Sequence, residues 1–236
     1  MRFYRSIRPI KAVSLDLDDT LWDNRPVIAK AEAALLKHLE THQPDVLAIL
    51  GTEGIQQRRS QLLHDHPELH LDLSAFRRHL LQSIFGEFGH SPDEVEQAFQ
   101  VYYHHRQQVT LYPGANALLE HLSARYPLIA ISNGNADLHQ IGLTQYFKAD
   151  IRPHSVGVRK PDQRLYQKVE QQLDIPTNQI LHIGDHLHYD VYGAYLAGMQ
   201  TLWMNHGQHN LFYSRNSRIV PHAEAYQLEE VQKWLV

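Results

Sequence analysis

Short apolar segments alternate with helical patterns along most of this chain, and no other feature constrains its fold as strongly. Strands that are buried on both faces have such nearly continuous apolar sequences. The main candidates are Lys11–Leu15, Leu128–Ile131, Ile180–Ile183 and Thr201–Met204, with a weaker one at Ala149–Pro153. Helical periodicity lies between them, at Ala115–Arg125, Gln163–Leu173 and Tyr189–Ala197. The alternation predicts an α/β fold with a Rossmann-like parallel sheet and helices on both faces.

A second pattern occupies residues 26 to 109, where the sequence is helical in periodicity and has no convincing strand. The segment Ser91-Pro92-Asp93-Glu94 is typical of a helix N-terminus, with Ser as the cap, Pro at the first helical position and acids in the first turn. This helical insertion interrupts the sheet after its first strand. We therefore predict a core domain of residues 1–24 and 110–236, and an inserted, all-helical cap domain of residues 25–109.

Composition excludes several classes of protein. The chain has 0 Cys, which rules out a disulfide framework, a Cys-zinc site and thiol catalysis. Its net charge of -4 disfavours broad nucleic-acid binding. The N-terminal segment Met1–Lys11 is basic, but no apolar stretch follows it as in a secretory signal. No stretch approaches the roughly 18 apolar residues of a membrane span. We expect a cytoplasmic protein that binds neither nucleic acid nor a membrane.

Acidic and polar side chains follow the predicted strands at their C-terminal ends, where open parallel sheets bind ligands. Asp16 and Asp18 lie two residues apart as the first strand gives way to a loop, so both can face one ligand. Asp185 and Asp190 follow the strand at Ile180–Ile183. We expect the side chains of Ser132, Asn133 and Lys160 to lie at the same edge of the sheet.

Carboxylates crowded in this way repel each other unless a cation lies among them. Hard oxygen ligands suit Mg²⁺, and Mg²⁺ with a lysine and a serine makes a receptor for a phosphoryl group. Taken singly, each motif is also compatible with a turn or with a solvated charge. Their order and their placement at strand ends favour a site.

The order of these motifs resembles that of the haloacid dehalogenase superfamily. The motifs are Asp16-Leu17-Asp18-Asp19-Thr20, Ser132-Asn133, Lys160-Pro161 and Gly184-Asp185 with Asp190. The helical insertion resembles the cap of that superfamily. Residues 16–28, 131–136 and 180–194 are similar to its bacterial phosphatases of flavin mononucleotide (FMN), which also act on a ribitylaminouracil phosphate of the riboflavin pathway. The similarity covers the core and is much weaker through the cap.

The resemblance implies a phosphomonoesterase that acts through an aspartyl phosphate. Asp16 would be the nucleophile. Asp18 would protonate the leaving alkoxide and then deprotonate the hydrolytic water. Lys160 would balance negative charge, while Ser132 and the backbone N–H of Asn133 would bind phosphate oxygens. Asp18 also separates the phosphatases of the superfamily from its dehalogenases, because a departing halide needs no proton.

The resemblance further implies a Mg²⁺ ion held by the carboxylates of Asp16 and Asp185 and by the backbone carbonyl of Asp18. Asp190 would contact this metal through water or orient Lys160. His186 occupies a position where many relatives carry Asp, Ser or Thr. It either admits a softer ion such as Mn²⁺ or Co²⁺ or points to solvent.

The expected substrate is FMN or the ribitylaminouracil phosphate. Candidate contacts to its leaving group are Asn24 and Arg25, at the start of the cap, and Asn135, after the second strand. One alternative is a phosphatase for another small metabolite, such as a nucleotide or sugar phosphate. Another is a non-catalytic phosphate-binding or receiver-like protein, against which Asp18 argues. The sequence carries no signal for an oligomeric state or for a role of residues 205–221.

Overall fold

The computed structural model describes residues 1–207, 209–211 and 218–235, and its central feature is a sheet of seven strands. They are β1 (Arg2–Phe3), β2 (Ala12–Leu15), β3 (Leu128–Ile131), β4 (Ala149–Ile151), β5 (Ile180–Gly184), β6 (Gln200–Met204) and β7 (Ala223–Ala225). Their order across the sheet is β1-β7-β6-β5-β2-β3-β4. Within the described residues, adjacent strands are parallel except β1 and β7, which are antiparallel. The predicted α/β fold is confirmed, with an antiparallel strand at one edge.

The four strands predicted from short, continuous apolar segments are buried along their whole length. This burial on both faces explains why their sequences do not alternate. The prediction Leu128–Ile131 matches β3, and each of the other three main predictions differs from its strand by one residue at one end. The weaker candidate ends at Ile151 because Pro153 begins a short helix, and proline cannot donate a backbone hydrogen bond to the sheet.

Helices lie between and after these strands in the chain. They are α1 (Asn24–His42), α2 (Pro44–Asp65), α3 (Leu73–Glu87), α4 (Pro92–Arg106), α5 (Ala115–Ser123), α6 (Pro153–Val156), α7 (Gln163–Leu173), α8 (Gly193–Leu196) and α9 (Leu228–Trp234). In the part of the chain that the structure describes, none is both long and apolar enough to cross a membrane.

The chain forms two compact units. The sheet unit comprises Met1–Asp23, Thr110–Gly134 and the chain from Leu138 onward. The helical unit comprises Asn24–Val109 and, in addition, the short segment Asn135–Asp137. The helical unit therefore also contains residues that are distant in sequence and that begin one residue after the motif Ser132-Asn133.

The helical unit buries an apolar core between α1, α2, α3 and α4, with Leu35, Phe76 and Phe99 among its buried residues. A capping box starts α4, since the Ser91 hydroxyl accepts from the Glu94 N–H and the Glu94 carboxylate accepts from the Ser91 N–H. The helix predicted to begin at Ser91-Pro92 is thus present. The helix α2 is interrupted at Gly51, whose φ of 58° favours glycine.

In the sheet unit, α7 packs Leu165, Tyr166 and Val169 against apolar residues of the sheet. Its bounds are those predicted from periodicity. The helix predicted at Tyr189–Ala197 is different, because the chain first forms a π-helical turn at Leu187–Tyr192 and only then continues as α8. Such turns occur frequently at functional sites, and this one carries Asp190.

Candidate active site

The loop after β2 places Asp16 at the C-terminal edge of the sheet. The Asp16 N–H donates to the carbonyl of Ile183 on β5 (2.9 Å), and the residue is 6% exposed. The loop then turns through Asp19, whose φ is 63° and whose N–H donates to the carbonyl of Trp22 (2.8 Å). The indole N–H of Trp22 donates to Oδ1 of the partly buried Asp18 (3.0 Å). Asp18 is therefore oriented by its own loop.

Lys160 is buried between two carboxylates. Its Nζ donates to Oδ1 of Asp16 and to Oδ1 of Asp190, the latter at 2.6 Å. The Asn133 side chain fixes the backbone of Lys160, because its Nδ2 donates to the Lys160 carbonyl (3.2 Å) and its Oδ1 accepts from the Lys160 N–H (2.9 Å). The sequence assigned only the backbone of Asn133 a role, and the structure adds this positioning role for its amide.

A buried histidine supports Asp190 from inside the sheet. His182 on β5 is 0% exposed; its Nε2 lies 3.2 Å from Oδ1 of Asp190 and its Nδ1 lies 2.9 Å from Oγ of Ser14 on β2. Because a carboxylate oxygen can only accept, Nε2 carries the proton and Nδ1 accepts from Ser14. The backbone N–H of His186 donates a hydrogen bond to Oδ2 of Asp190 (3.0 Å). Nothing in the sequence indicated this role for Ser14 or His182.

Gly184 permits this arrangement at the end of β5. A Cβ there would lie 2.3 Å from Cγ and 2.5 Å from Cβ of Asp190. No ordinary side chain fits in that space, so the glycine before Asp185 allows Asp190 to pack directly on the strand.

Thr20 links the two loops that carry Asp16 and Asp185. Its hydroxyl oxygen lies 3.1 Å from Oδ2 of Asp16 and 3.3 Å from Oδ1 of Asp185, and it accepts from the Asp185 N–H (3.1 Å). The indole N–H of Trp203 donates to the Asp185 carbonyl (2.6 Å). His206 donates from Nε2 to the Thr20 carbonyl (3.0 Å), which gives one residue of the segment 205–221 a structural role. Residues 208 and 212–217 of that segment lie outside the described residues.

The carboxylates of this site differ in their electrostatics. Burial raises the pKa of Asp16 to about 7 and that of Asp185 to about 9, and repulsion from Asp190 adds to both. Burial acts in the same direction on Asp190, but Lys160 and His182 outweigh it and hold the pKa of Asp190 below its usual value. Burial opposes the charge on Lys160, yet Asp16 and Asp190 raise its pKa.

This cluster fits a hard divalent cation. Oxygen atoms of Asp16, Asp185 and Asp190 all lie within 4.8 Å of one another. Lys160 supplies a single positive charge to three buried or partly buried carboxylates, and the raised pKa values of Asp16 and Asp185 show that this charge does not compensate them. A magnesium ion would supply the missing charge through the oxygen ligands that it prefers.

The remaining predicted site residues have different surroundings. Ser132, directly after β3, is 1% exposed, and its Oγ accepts from the Gly134 N–H (3.0 Å). Asn135 lies in the helical unit, where its amide contacts Ser74 Oγ (3.2 Å) and Arg106 Nε (3.2 Å). Asn24 and Arg25 form the first turn of α1, and Arg25 is exposed.

The side chain of His186 caps the turn that follows it. Its Nδ1 accepts from the N–H groups of His188 (3.1 Å) and Tyr189 (3.0 Å), so the ring caps the π-helical turn. The ring also stacks on Tyr189, with centroids 4.3 Å apart. These contacts hold the partly buried side chain in the loop and leave its effect on the choice of metal a prediction.

A sequence model of the haloacid dehalogenase-like hydrolases matches residues 10–198, a range that contains all four motifs of the site. The chain therefore belongs to the haloacid dehalogenase-like hydrolase family.

Its relatives include phosphatases. The 5-amino-6-(5-phospho-D-ribitylamino)uracil phosphatase YigB of Escherichia coli (strain K12) is 33% identical over 232 residues, which cover 97% of each chain. The phosphoserine phosphatase of Thermus thermophilus is 28% identical and covers 84% of this chain and 90% of its own. The family match and these phosphatases confirm the predicted enzyme class, a phosphoric monoester hydrolase.

Among solved structures, the crystal structure of a 2-haloacid dehalogenase from Pseudomonas syringae pv. Tomato DC3000 is similar, with a TM-score of 0.87 at 33% identity. It covers 96% of this chain and 98% of its own. The L-2-haloacid dehalogenase of Xanthobacter autotrophicus shares the fold, with a TM-score of 0.62 at 23% identity.

Proposed function

We propose that this enzyme is a Mg²⁺-dependent phosphomonoesterase that hydrolyses 5-amino-6-(5-phospho-D-ribitylamino)uracil, with FMN as a second substrate. The observation that carries this proposal is the arrangement around Asp16. One of its oxygens is bonded to Lys160 and the other lies beside Thr20, in the same loop as the partly buried Asp18.

Asp16 is the nucleophile in this proposal. A carboxylate oxygen attacks phosphorus, the bond from phosphorus to the ester oxygen breaks, and an aspartyl phosphate forms. Lys160 lies against Asp16 and offsets the charge that gathers on the phosphoryl oxygens. Ser132 and the backbone N–H of Asn133, at the end of the neighbouring strand β3, would bind those oxygens.

Asp18 distinguishes ester hydrolysis from dehalogenation. An alkoxide leaving group needs a proton, whereas a halide does not. Asp18 gives the proton to the alkoxide and then takes one from the water that hydrolyses the aspartyl phosphate. The hydrogen bond from Trp22 holds its carboxyl group in one orientation. This residue favours phosphate ester hydrolysis over dehalogenation, the activity after which the similar Pseudomonas syringae protein is named.

Asp16 and Asp185 would hold the magnesium ion, together with the Asp18 carbonyl that the family resemblance implies. When bound, Mg²⁺ neutralises the carboxylates and polarises the phosphoryl group. Asp190 orients Lys160, because both of its oxygens already accept hydrogen bonds, from Lys160, His182 and the His186 N–H. Mn²⁺ and Co²⁺ are the other ions to test in this oxygen-rich site.

Similarity to YigB over nearly the whole of both chains supports the substrate. The phosphoserine phosphatase relative supports the alternative of another small phosphorylated metabolite. Asn24, Arg25 and Asn135 stay candidate contacts for the leaving group.

A substrate panel tests the proposal. Phosphate release is measured from the ribitylaminouracil phosphate, FMN, phosphoserine, nucleotides and sugar phosphates, and halide release from 2-chloropropionate, each with Mg²⁺, Mn²⁺ or Co²⁺. We expect the first two substrates with Mg²⁺ to give the highest kcat/KM. Asp16→Asn and EDTA should abolish turnover, and Asp18→Asn should reduce it by about 10²–10⁴-fold. Halide release without phosphate release would refute the proposal.

A further inference from the structure

A cavity of about 650 Å³ lies in the sheet unit, away from the carboxylates. It forms where strands begin: Gln200 is the first residue of β6, Asn178 precedes β5 and His222 precedes β7. Asp16 and Asp185 follow the opposite ends of the strands. The five residues of β5 separate the two edges, which is roughly 15 Å at about 3.3 Å per residue.

The charge of this cavity is positive. Arg5 and Arg8 line it together with Ser6, Tyr195, Gln200 and His222, and no Asp or Glu is among the described residues that line it. The guanidinium of Arg5 lies 4.8 Å from the centre of the Tyr195 ring and donates to its hydroxyl (3.1 Å). Burial lowers the pKa of His222, and Arg5 and Arg8 lower it further. Both guanidinium groups therefore act on the same space.

The segment that carries the two arginines is anchored by buried polar groups. Gln200 is 3% exposed; its Oε1 accepts from the Arg8 N–H (2.7 Å) and its Nε2 donates to the Arg8 carbonyl (3.3 Å). His222 uses Nδ1 to accept from the Thr201 N–H (3.1 Å), so its other ring nitrogen is a donor. The cavity is thus built from fixed elements, which lowers the entropy cost of binding.

We infer that this cavity binds a small phosphorylated anion, at a site separate from the catalytic carboxylates. Two guanidinium groups without an acidic partner in the lining match a phosphate group, which arginine can bind through two parallel hydrogen bonds. The volume falls within the roughly 300–1,000 Å³ of small-molecule sites, so a nucleotide-sized organic part fits beside the phosphate. The two arginines of the basic N-terminal segment, Arg5 and Arg8, would then serve as anion ligands.

Binding is tested on the whole protein in EDTA. EDTA removes the metal ion that would hold phosphate at the carboxylate cluster, and the variants below assign the binding that remains to the cavity. Isothermal titration with inorganic phosphate and with AMP, at constant ionic strength, should show saturable binding to the wild-type enzyme. Tighter binding of AMP would support an organic phosphomonoester as the ligand, and equal affinities would support free phosphate.

Two variants and one control decide the outcome. Arg5→Gln with Arg8→Gln should weaken binding at least about tenfold, which equals about 1.4 kcal/mol. Ser6→Glu, which supplies an internal carboxylate and keeps both arginines, should do the same. The charge-matched control is Arg125→Gln with Arg164→Gln, two exposed residues away from the cavity, and it should bind as the wild type does.

No saturable binding by the wild type would overturn the inference, as would unchanged affinity in Ser6→Glu or in the double arginine variant. Hydrolysis of p-nitrophenyl phosphate with Mg²⁺ is followed in the same variants and should persist. A failure of this site and a failure of the proposed catalytic function are therefore separately visible.

Discussion

Gly184→Ala tests how closely the end of β5 approaches Asp190. The new Cβ would lie 2.3 Å from Cγ of Asp190, and ordinary contact begins at 3.4 Å. Asp190 would therefore have to move by about 1 Å, the difference between these two distances. Such a movement strains the bonds that Asp190 accepts from Lys160, His182 and the His186 N–H.

The structure allows the loss of stability and the loss of kcat to be estimated. Overpacking of a filled interior costs about 1–3 kcal/mol, and each kcal/mol lowers Tm by about 2–4 °C in a protein of this length. A misplacement of about 1 Å in the group that holds Lys160 should lower kcat about a hundredfold. KM should change less, because Asp190 is not a proposed substrate contact.

The assay is kcat and KM for p-nitrophenyl phosphate with Mg²⁺, together with thermal unfolding of the same samples. Gly86→Ala is the matched control, since a Cβ at Gly86 in α3 would meet nothing within 4 Å. That change should leave kcat unaltered and stabilise the helix by about 0.5–1 kcal/mol. Wild-type kcat and Tm in Gly184→Ala would refute the packing argument.

Three further predictions concern the same cluster. Asn133→Ala removes both side-chain bonds to the Lys160 backbone and should lower kcat about tenfold or more with little change in Tm; unchanged steady-state kinetics would contradict this positioning role. His182→Ala removes a buried donor to a carboxylate and should cost about 1.5–3 kcal/mol in urea unfolding; an unchanged midpoint would contradict it. Because the pKa values of Asp16 (about 7) and Asp185 (about 9) are raised above their ordinary 3.8, the metal-free fold should lose stability as pH rises above 3.8, and this loss should level off near pH 7 for Asp16 and near pH 9 for Asp185. Mg²⁺ should then bind more tightly with rising pH and release protons near pH 7.5, and titrations in buffers of different ionisation enthalpy that show no proton release would refute this.

The central strands were predictable because burial on both faces makes them continuously apolar, as in Leu128–Ile131. The strands β1 and β7 were not, because two or three residues carry no period. These two strands form by pairing with each other across the length of the chain, with Arg2 opposite Glu224. The π-helical turn also escaped prediction, since its residues have ordinary helical periodicity.

The carboxylates of the site followed from one topological rule, because parallel strands bring their C-terminal ends to one edge. The structure brings Asp16, Lys160, Asp185 and Asp190 together there. The bonds from the Asn133 side chain to Lys160 could not be predicted, because they join residues 27 positions apart and depend on one rotamer. The same holds for the contact between His182 and Ser14, which needs the pairing of β5 with β2.

The carboxylates of Asp16, Asp185 and Asp190 differ in the hydrogen bonds that they accept, and this difference suits them to different roles. Asp190 accepts from Lys160, His182 and a backbone N–H, and its lowered pKa means that it stays charged without further help. Asp16 and Asp185 are not compensated in this way, so near neutral pH they hold protons or share a cation. A protonated Asp16 could not attack phosphorus as the proposed nucleophile. A cation bound by Asp16 and Asp185 would therefore also keep the proposed nucleophile ionised, whereas the bonds from Lys160 and His182 to Asp190 do not need that cation.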